Sequence, residues 1–214
     1  MISISNFFLF NNDFNIIIIC FSFSFELCNN NTKGVELHDN IILLMDENSH
    51  ASIKQIKNCF LAAPGVDPSI VPKGWVENSF KWIVSKLASM ERSFPQYFSG
   101  KALTPQNVIL QMKYRYDLEI DNAKRSVLRK IIERDDVSCK RMILFVSQIK
   151  NKMLDYYLEL SDGWYSINAE IDTPLRNFIK SGKIKVGTKL VIQGAELLNN
   201  DQGCSPLEVL FVYK

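Results

Sequence analysis

Apolar positions change their period once along the chain. From Trp75 to Phe94, the residues Val76, Phe80, Ile83, Leu87, Met90 and Phe94 recur at steps of four and three. That spacing places them on one helical stripe, which Pro95 ends. Trp75 and Trp82 lie a heptad apart and off the stripe, so this helix is apolar on two sides. It is either packed between other helices or turned toward a partner. Thr104 as N-cap with Pro105 behind it opens the next helical stretch. Its stripe is Ile109, Met112, Tyr116, Ile120, Ala123, Val127 and Ile131. Nothing from Gln106 to Asp136 is Gly or Pro, so either one long helix runs through or two meet near Asp121.

At Met142 the period becomes two. Residues 142–149, 153–160 and 164–171 alternate as strands, joined at Lys150 to Lys152 and at Ser161-Asp162-Gly163. Thr173 and Pro174 then open a short helix closed by Gly182. A fourth strand carries Gly194 as a bend, and a fifth runs from Leu207 to Tyr213. Three strands, a helix and two strands is the order of an oligonucleotide-binding (OB) barrel. The predicted fold is α+β: an amino-proximal helical domain over 51–141, followed by a five-stranded OB-fold β-barrel over 142–214.

Residues 1–50 are an apolar, Asn-rich stretch. Asp13 interrupts the run and the first basic residue is Lys33, which is unlike a secretory leader. The segment Ile16 to Phe25 is shorter than the roughly 20 residues a bilayer requires, so no membrane association is expected. A weak signal, a buried strand or helix, and a biased extension remain open; the segment is assigned outside the fold, with 1–31 dispensable.

Charge is uneven. Residues 1–50 carry one Lys and six acids; 51–150 carry seventeen Lys and Arg against nine acids; 151–214 carry seven against eight. A middle stretch of net +8 can hold a polyanion or an acidic protein. Helical i,i+4 pairs offset part of it: Lys113 with Asp117, Arg115 with Glu119, Asp121 with Arg125, Arg129 with Glu133. Lys124, Lys130, Arg134, Lys140 and Arg141 are left over. The five cysteines form no C-x-x-C pair and only two histidines accompany them, so no metal or other cofactor is expected. No P-loop, nucleophile elbow or H-E-x-x-H occurs, and no catalytic residues are assigned.

The OB ligand face lies on strands two and three and their loops. Alternation aims Asp155, Tyr157 and Glu159, with Trp164, Ser166, Asn168 and Glu170, at that face. Tyr157 and Trp164 suit base stacking, and Lys150 and Lys152 are the nearby cations. The carboxylates oppose phosphate, so the face is no electrostatic funnel. Trp164 either stacks a base or, with Asp162, packs between barrel and helical domain.

Specific motifs sharpen this picture. Pro64-Gly65-Val66-Asp67-Pro68 comes first. Trp82-Ile83 follows, with Lys86-Leu87-Ala88 and Met90-Glu91. Next stand Lys113-Tyr114-Arg115-Tyr116-Asp117 with Glu119-Ile120-Asp121, then Glu133-Arg134-Asp135-Asp136. The strand region has Asp162-Gly163-Trp164-Tyr165, Pro174-Leu175, Val186-Gly187-x-Lys189 and Gln193-Gly194-Ala195-Glu196-Leu197. In this order they resemble the helical domain and first OB-fold of the breast cancer type 2 susceptibility family, over about Cys59 to Tyr213. His stands in the family where Gln193 stands here. The family's long insertion between the first two strands has no room between Gln148 and Lys152. The 214 residues hold no counterpart of the later OB-folds, the tower or the recombinase-binding repeats. Phe60-Leu61-Ala62-Ala63 has the F-x-x-A shape of such a repeat, which the end of a core helix also explains.

The resemblance implies a non-enzymatic domain of a homologous-recombination DNA-repair mediator in the nucleus. It implies a small acidic partner protein of the proteasome-lid-associated type, weak single-stranded DNA binding here, and RecA-family recombinase held through regions absent from this chain. Trp75, Trp82, Lys124, Lys130 and Arg134 are the expected partner-binding residues. Lys150, Lys152, Tyr157 and Trp164 are the expected DNA contacts, and Asp162 and Trp164 the domain interface. The alternative is a stand-alone single-stranded DNA-binding OB-fold protein.

Overall fold

The computed structural model describes residues 23–26, 34–37, 41–152, 155–197 and 209–212. The chain packs as two compact units, Met1–Lys124 and Arg125–Lys214.

The first unit is built on helices with two small sheets. Strand β1 (Ser24–Glu26) pairs antiparallel with β4 (His50–Ser52), and β2 (Gly34–Glu36) with β3 (Ile42–Leu44). Ser52 opens α1 (Ile53–Leu61) with a capping box: its hydroxyl faces the first turn while Gln55 accepts from the Ser52 backbone N–H. Then come α2 (Trp75–Ser93), the single turn α3 (Pro95–Phe98) and α4 (Pro105–Tyr116), which Thr104 caps by accepting from Asn107 N–H at 3.2 Å. The stripe of α2 is buried at Val76, Phe80, Ile83 and Leu87, whereas Phe94 stands past its end at 52% exposure.

Three described residues of the stretch expected to lie outside the fold are core residues. Phe23, Phe25 and Leu43 are buried and cluster with Ile56, Phe60 and Trp75. Alternation over three-residue strands is a brief signal, yet Phe25 and Leu43 are 2% and 0% exposed.

Between the two units the helix is interrupted without Gly or Pro. After Tyr116 the backbone widens into a π-helical turn, Asp117–Asp121, with Asn122 N–H donating to the Asp117 carbonyl. Ala123 then takes φ +52, a left-handed conformation that stops the helix. The second helix, α5 (Val127–Ile132), is capped by Ser126, five residues past Asp121. It lies in the second unit with the strands, whereas the sequence pattern grouped 51–141 as one helical domain.

In the second unit, β5 (Met142–Lys152), β6 (Asp155–Ser161) and β7 (Ser166–Ile171) form an antiparallel meander. Helix α6 (Thr173–Lys180) follows, capped by Asp172 accepting from Leu175 N–H at 2.9 Å. Strand β8 (Lys189–Ile192) returns to pair with β5. Strand β9 (Glu196–Leu197) pairs with β10 (Val209–Val212), which runs parallel to β7. The sheet order is β8-β5-β6-β7-β10-β9, six strands where a five-stranded barrel was expected. The extra strand arises at Gly194, whose φ of +73 breaks the segment 189–197 in two. No closing pairing between β8 and β9 joins the ends of the sheet among the described residues.

Candidate nucleic-acid interface

Period-two alternation builds the outward face of the meander. Leu158, Leu160, Tyr165, Ile167, Ala169 and Ile171 point into the core at 5% exposure or less. Their neighbours form cross-strand rows on the other side: Lys150, Tyr157 and Glu170 in one, Gln148, Glu159 and Asn168 in the next. A bulge at Ser147 sets the β5 register for these rows.

Lys150 does not reach outward unengaged. Its ammonium donates to Glu159 Oε2 at 3.2 Å and to Asn168 Oδ1 at 2.8 Å. Glu159 is buried, and its Oε1 and backbone carbonyl also accept from the Ser147 hydroxyl, each at 2.9 Å. The expected DNA-contacting cation is therefore spent on a carboxylate that burial would otherwise penalise. Tyr157 stands half-buried beside this group in register with Lys150 and Glu170. The side chains of Lys152 and Asp155 lie outside the described residues.

The Asp-Gly turn between β6 and β7 is a hydrogen-bonding hub. Asp162 Oδ1 accepts from Trp164 and Tyr165 N–H, both at 2.9 Å, and Oδ2 accepts from Leu128 N–H at 3.0 Å. Leu128 is in the first turn of α5, so one carboxylate closes the turn and caps the helix. Asp162 was expected to join the two domains. It does bind the helix that follows the helical stretch, but that helix belongs to the same unit as the turn. Trp164 is half-buried and packs on the core of the sheet. Arg129, on α5, donates to Tyr165 Oη at 3.0 Å with its guanidinium over that ring, and pairs with Glu133. Burial pushes the Glu133 carboxyl upward, but Arg125 and Arg129 outweigh it and hold the group below its ordinary 4.5.

Trp75 and Trp82, the expected partner anchors, are core residues at 3% and 2% exposure. Trp75 stacks on Phe60 at 5.8 Å, meets Tyr116 edge-on at 6.4 Å, and donates its Nε1–H to the buried Glu119 at 2.8 Å. Trp82 donates to Asn78 Oδ1 at 3.2 Å, with Lys81 over its ring. Both indoles thus find the polar partner a buried indole needs. Phe60 and Ala63 are buried too, which places the F-x-x-A shape in the core. Lys124, Lys130 and Arg134 are exposed but fall on different units, the first on one and the others on the second. Lys140 is paired with Asp136 rather than left over. Among the described residues no cluster of metal-ligating side chains occurs and no helix is long and apolar enough to cross a membrane.

Block-wise charge counting missed one feature. From Thr173 to Ala195 there are five basic residues, Arg176, Lys180, Lys183, Lys185 and Lys189, and no acid. The signal was present as an acid-free run, but block boundaries at 150 and 214 averaged it with the acids on either side.

A helical unit followed by an OB-type sheet unit is the class of architecture that the described residues define. The comparisons narrow it. The family model for "BRCA2, helical" matches residues 11–123, and that for "BRCA2, oligonucleotide/oligosaccharide-binding, domain 1" matches residues 126–213. The curated relatives include Protein BREAST CANCER SUSCEPTIBILITY 2 homolog A and homolog B of Arabidopsis thaliana. Each is 34% identical over 163 residues, which is 70% of this chain and 14% of the relative. The chain belongs to the BRCA2 family. It spans about one seventh of the length of these relatives.

Proposed function

We propose that this chain serves homologous-recombination DNA repair in the nucleus as a non-enzymatic mediator domain, with its OB unit contributing to single-stranded DNA binding. The sheet supports this reading. Its two end strands, β8 and β9, are consecutive in the chain with only residues 193–195 between them. They flank one bend in a continuous segment, so the two ends of the six-stranded sheet come from neighbouring residues, an arrangement compatible with an OB-type fold.

The helical unit is the platform for a small acidic partner protein, and recombinase is delivered by parts of the parent protein outside these residues. The observation that carries the partner assignment is an exposed apolar pair on α4. Leu110 and Tyr114 lie one turn apart at 47% and 57% exposure, and the intervening Gln111 accepts from Lys86. The unit Met1–Lys124 is net −1 as a whole, but its stretch 51–124 carries ten Lys and Arg against six acids, so the positive charge is local to the helices. Apolar anchors beside cations fit an acidic segment bearing aromatic side chains.

A competition experiment tests the assignment. The full chain is titrated at about 0.15 M salt with an acidic, tryptophan-containing peptide and with a single-stranded oligonucleotide. The peptide is expected to bind more tightly, and Tyr114→Ser to weaken it without moving oligonucleotide affinity. Tighter oligonucleotide binding that Tyr157→Ala abolishes would instead favour the stand-alone DNA-binding protein.

A further inference from the structure

We propose that the crossover from β7 to β8, which carries Lys180, Lys183, Lys185 and Lys189, is a phosphate-contacting surface for the backbone of single-stranded nucleic acid. This rests on the DNA-repair assignment above and names the surface through which the OB unit would meet DNA.

The crossover is acid-free and rigidly turned. Helix α6 ends at Ser181, and Gly182 at φ +72 reverses the chain so that the Lys183 and Ile184 N–H groups both donate to the Phe178 carbonyl, at 2.9 and 3.1 Å. Ile184 is buried at 6% exposure, so Lys183 and Lys185 on either side of it are turned outward, and both are exposed. A second turn follows at once. Lys185 N–H donates to Thr188 Oγ1 at 3.0 Å, Thr188 N–H returns to the Lys185 carbonyl at 3.0 Å, and Gly187 supplies φ +88. Lys189 begins β8, opposite Phe145, and Lys180 sits one helical turn after Arg176. Among the described residues, none of the four lysines is paired with a carboxylate. The strand face differs in this respect, because its lysine is held by Glu159 and Asn168.

The crossover itself, 173 to 190, presents no apolar anchor for a protein partner; the exposed pair Ile143 and Val191 lies just beyond it on β5 and β8. Leu175, Phe178 and Ile179 pack on the core, and no large hydrophobic side chain between 173 and 190 is exposed. Protein interfaces draw their affinity from buried apolar and aromatic anchors. A phosphodiester chain needs only fixed cations, whose neutralisation of phosphate releases counterions.

The test uses the full chain and a single-stranded oligothymidylate, with affinity measured across a salt series. Lys180, Lys183, Lys185 and Lys189 are changed together to Gln, and separately to Arg. A control variant changes Lys54, Lys73, Lys81 and Lys101 to Gln, which lowers net charge equally. Circular dichroism and the urea midpoint verify that each variant folds. The crossover Gln variant is expected to lose at least about tenfold in affinity at about 0.1 M salt. The slope of log affinity against log salt should shrink by about 2 to 3, since each lost single-strand phosphate contact removes about 0.7. The Arg variant and the control should keep the wild-type slope. An unchanged slope in the crossover Gln variant overturns the proposal, as does an equal loss in the control. Polyglutamate displacing the oligonucleotide at matched charge also overturns it, in favour of an acidic protein ligand. Wild-type protein that binds no oligonucleotide sinks the DNA assignment itself; binding that depends on Tyr157 but not the lysines sinks only the crossover.

Discussion

Replacing Asp162 with alanine should unseat α5 from the sheet unit. The carboxylate accepts three backbone N–H groups, from Leu128, Trp164 and Tyr165, at 2.9–3.0 Å. Hydrogen bonds to a charged acceptor contribute about 1.5–3 kcal/mol each, and losing a helix cap costs about 0.5–2 kcal/mol. The three share one side chain, so their losses do not add, and the half-buried site readmits some water. A total of about 3 kcal/mol follows. Asp162→Asn separates the two roles. Its amide oxygen can keep Trp164 and Tyr165, but its NH2 faces the Leu128 donor, so the cap alone is lost at about 1 kcal/mol. Because the chain has two units, a global melt would blur the result. Native-state amide exchange read at Leu128, Trp164 and Tyr165 isolates it. Asp162→Asn should expose Leu128 preferentially, and Asp162→Ala all three. The hub is refuted if Asp162→Ala changes stability by less than about 0.5 kcal/mol, or if the Leu128 amide exchanges at its wild-type rate.

Other outcomes follow from the same geometry. Phe25→Ala should destabilise the first unit by about 3 kcal/mol, the lower end for a large core aromatic, and deleting residues 1–31 should do at least as much; an unchanged urea midpoint would return the segment to the status of an extension. Lys150→Met should strand the buried Glu159 and cost about 1–2 kcal/mol, discounted because the Lys150 side chain is 40% exposed; additivity with Glu159→Gln would show that the pair is not coupled. Glu133 is held below its ordinary 4.5, so its contribution is present above that value and fades as pH falls through the lower folded one. Glu133→Gln should flatten the acid limb of second-unit stability, and an identical limb would remove Arg125 and Arg129 as the cause. Burial raises the Cys59 thiol to about 11, whereas Cys139 is exposed. At about pH 8, where a free thiol is partly ionised, iodoacetamide followed by peptide mapping should label Cys139 and spare Cys59.

The legible parts of the sequence were those with many repeats of one period. Six positions marked α2, and alternation sorted β6 and β7 into core and outward sets residue by residue. Thr104-Pro105 announced α4 because capping chemistry is local. The short strands β1 to β4 were hard to read: three residues give at most one and a half alternations, and the Phe21-Ser22-Phe23-Ser24-Phe25 alternation adjoins the unbroken apolar run Ile16 to Phe21, which masks it. The helix break was legible only as one of two readings, a junction near Asp121, because a π-turn and left-handed Ala123 replace any Gly or Pro. Trp75 and Trp82 illustrate a different limit. Their position off the main stripe was correctly read, but a helix apolar on two sides has the same pattern whether a partner or the rest of its own unit covers the second side. Only the buried Glu119 and the Asn78 amide, each one bond from an indole, distinguish the cases.

Charge shows most clearly why the position of the unit boundary matters. Counted in blocks, residues 51–150 are net +8, which suggested that an anion would choose the helical part of the chain. Counted by compact unit, Met1–Lys124 carries eleven Lys and Arg against twelve acids, and Arg125–Lys214 carries fourteen against eleven. The net is then −1 for the first unit and +3 for the second. Arg125 to Lys150 contributes seven of the cations that had been credited to the helical side. Several of those are committed at short range: Arg125 and Arg129 to Glu133, Lys140 to Asp136, Lys150 to Glu159. Beyond a Debye length of about 8 Å at physiological salt, such pairs present little field to a ligand. What remains concentrated is the run from Lys180 to Lys189, where four lysines occur with no acid between them. A polyanion approaching the second unit is therefore steered by the crossover, and the aromatic Tyr157 on the strand face can act only after that encounter. If association rates with oligothymidylate were insensitive to the crossover lysines yet fell on Lys130 and Arg134 substitution, the steering would belong to α5 instead, and the ordering of these two events would have to be reversed.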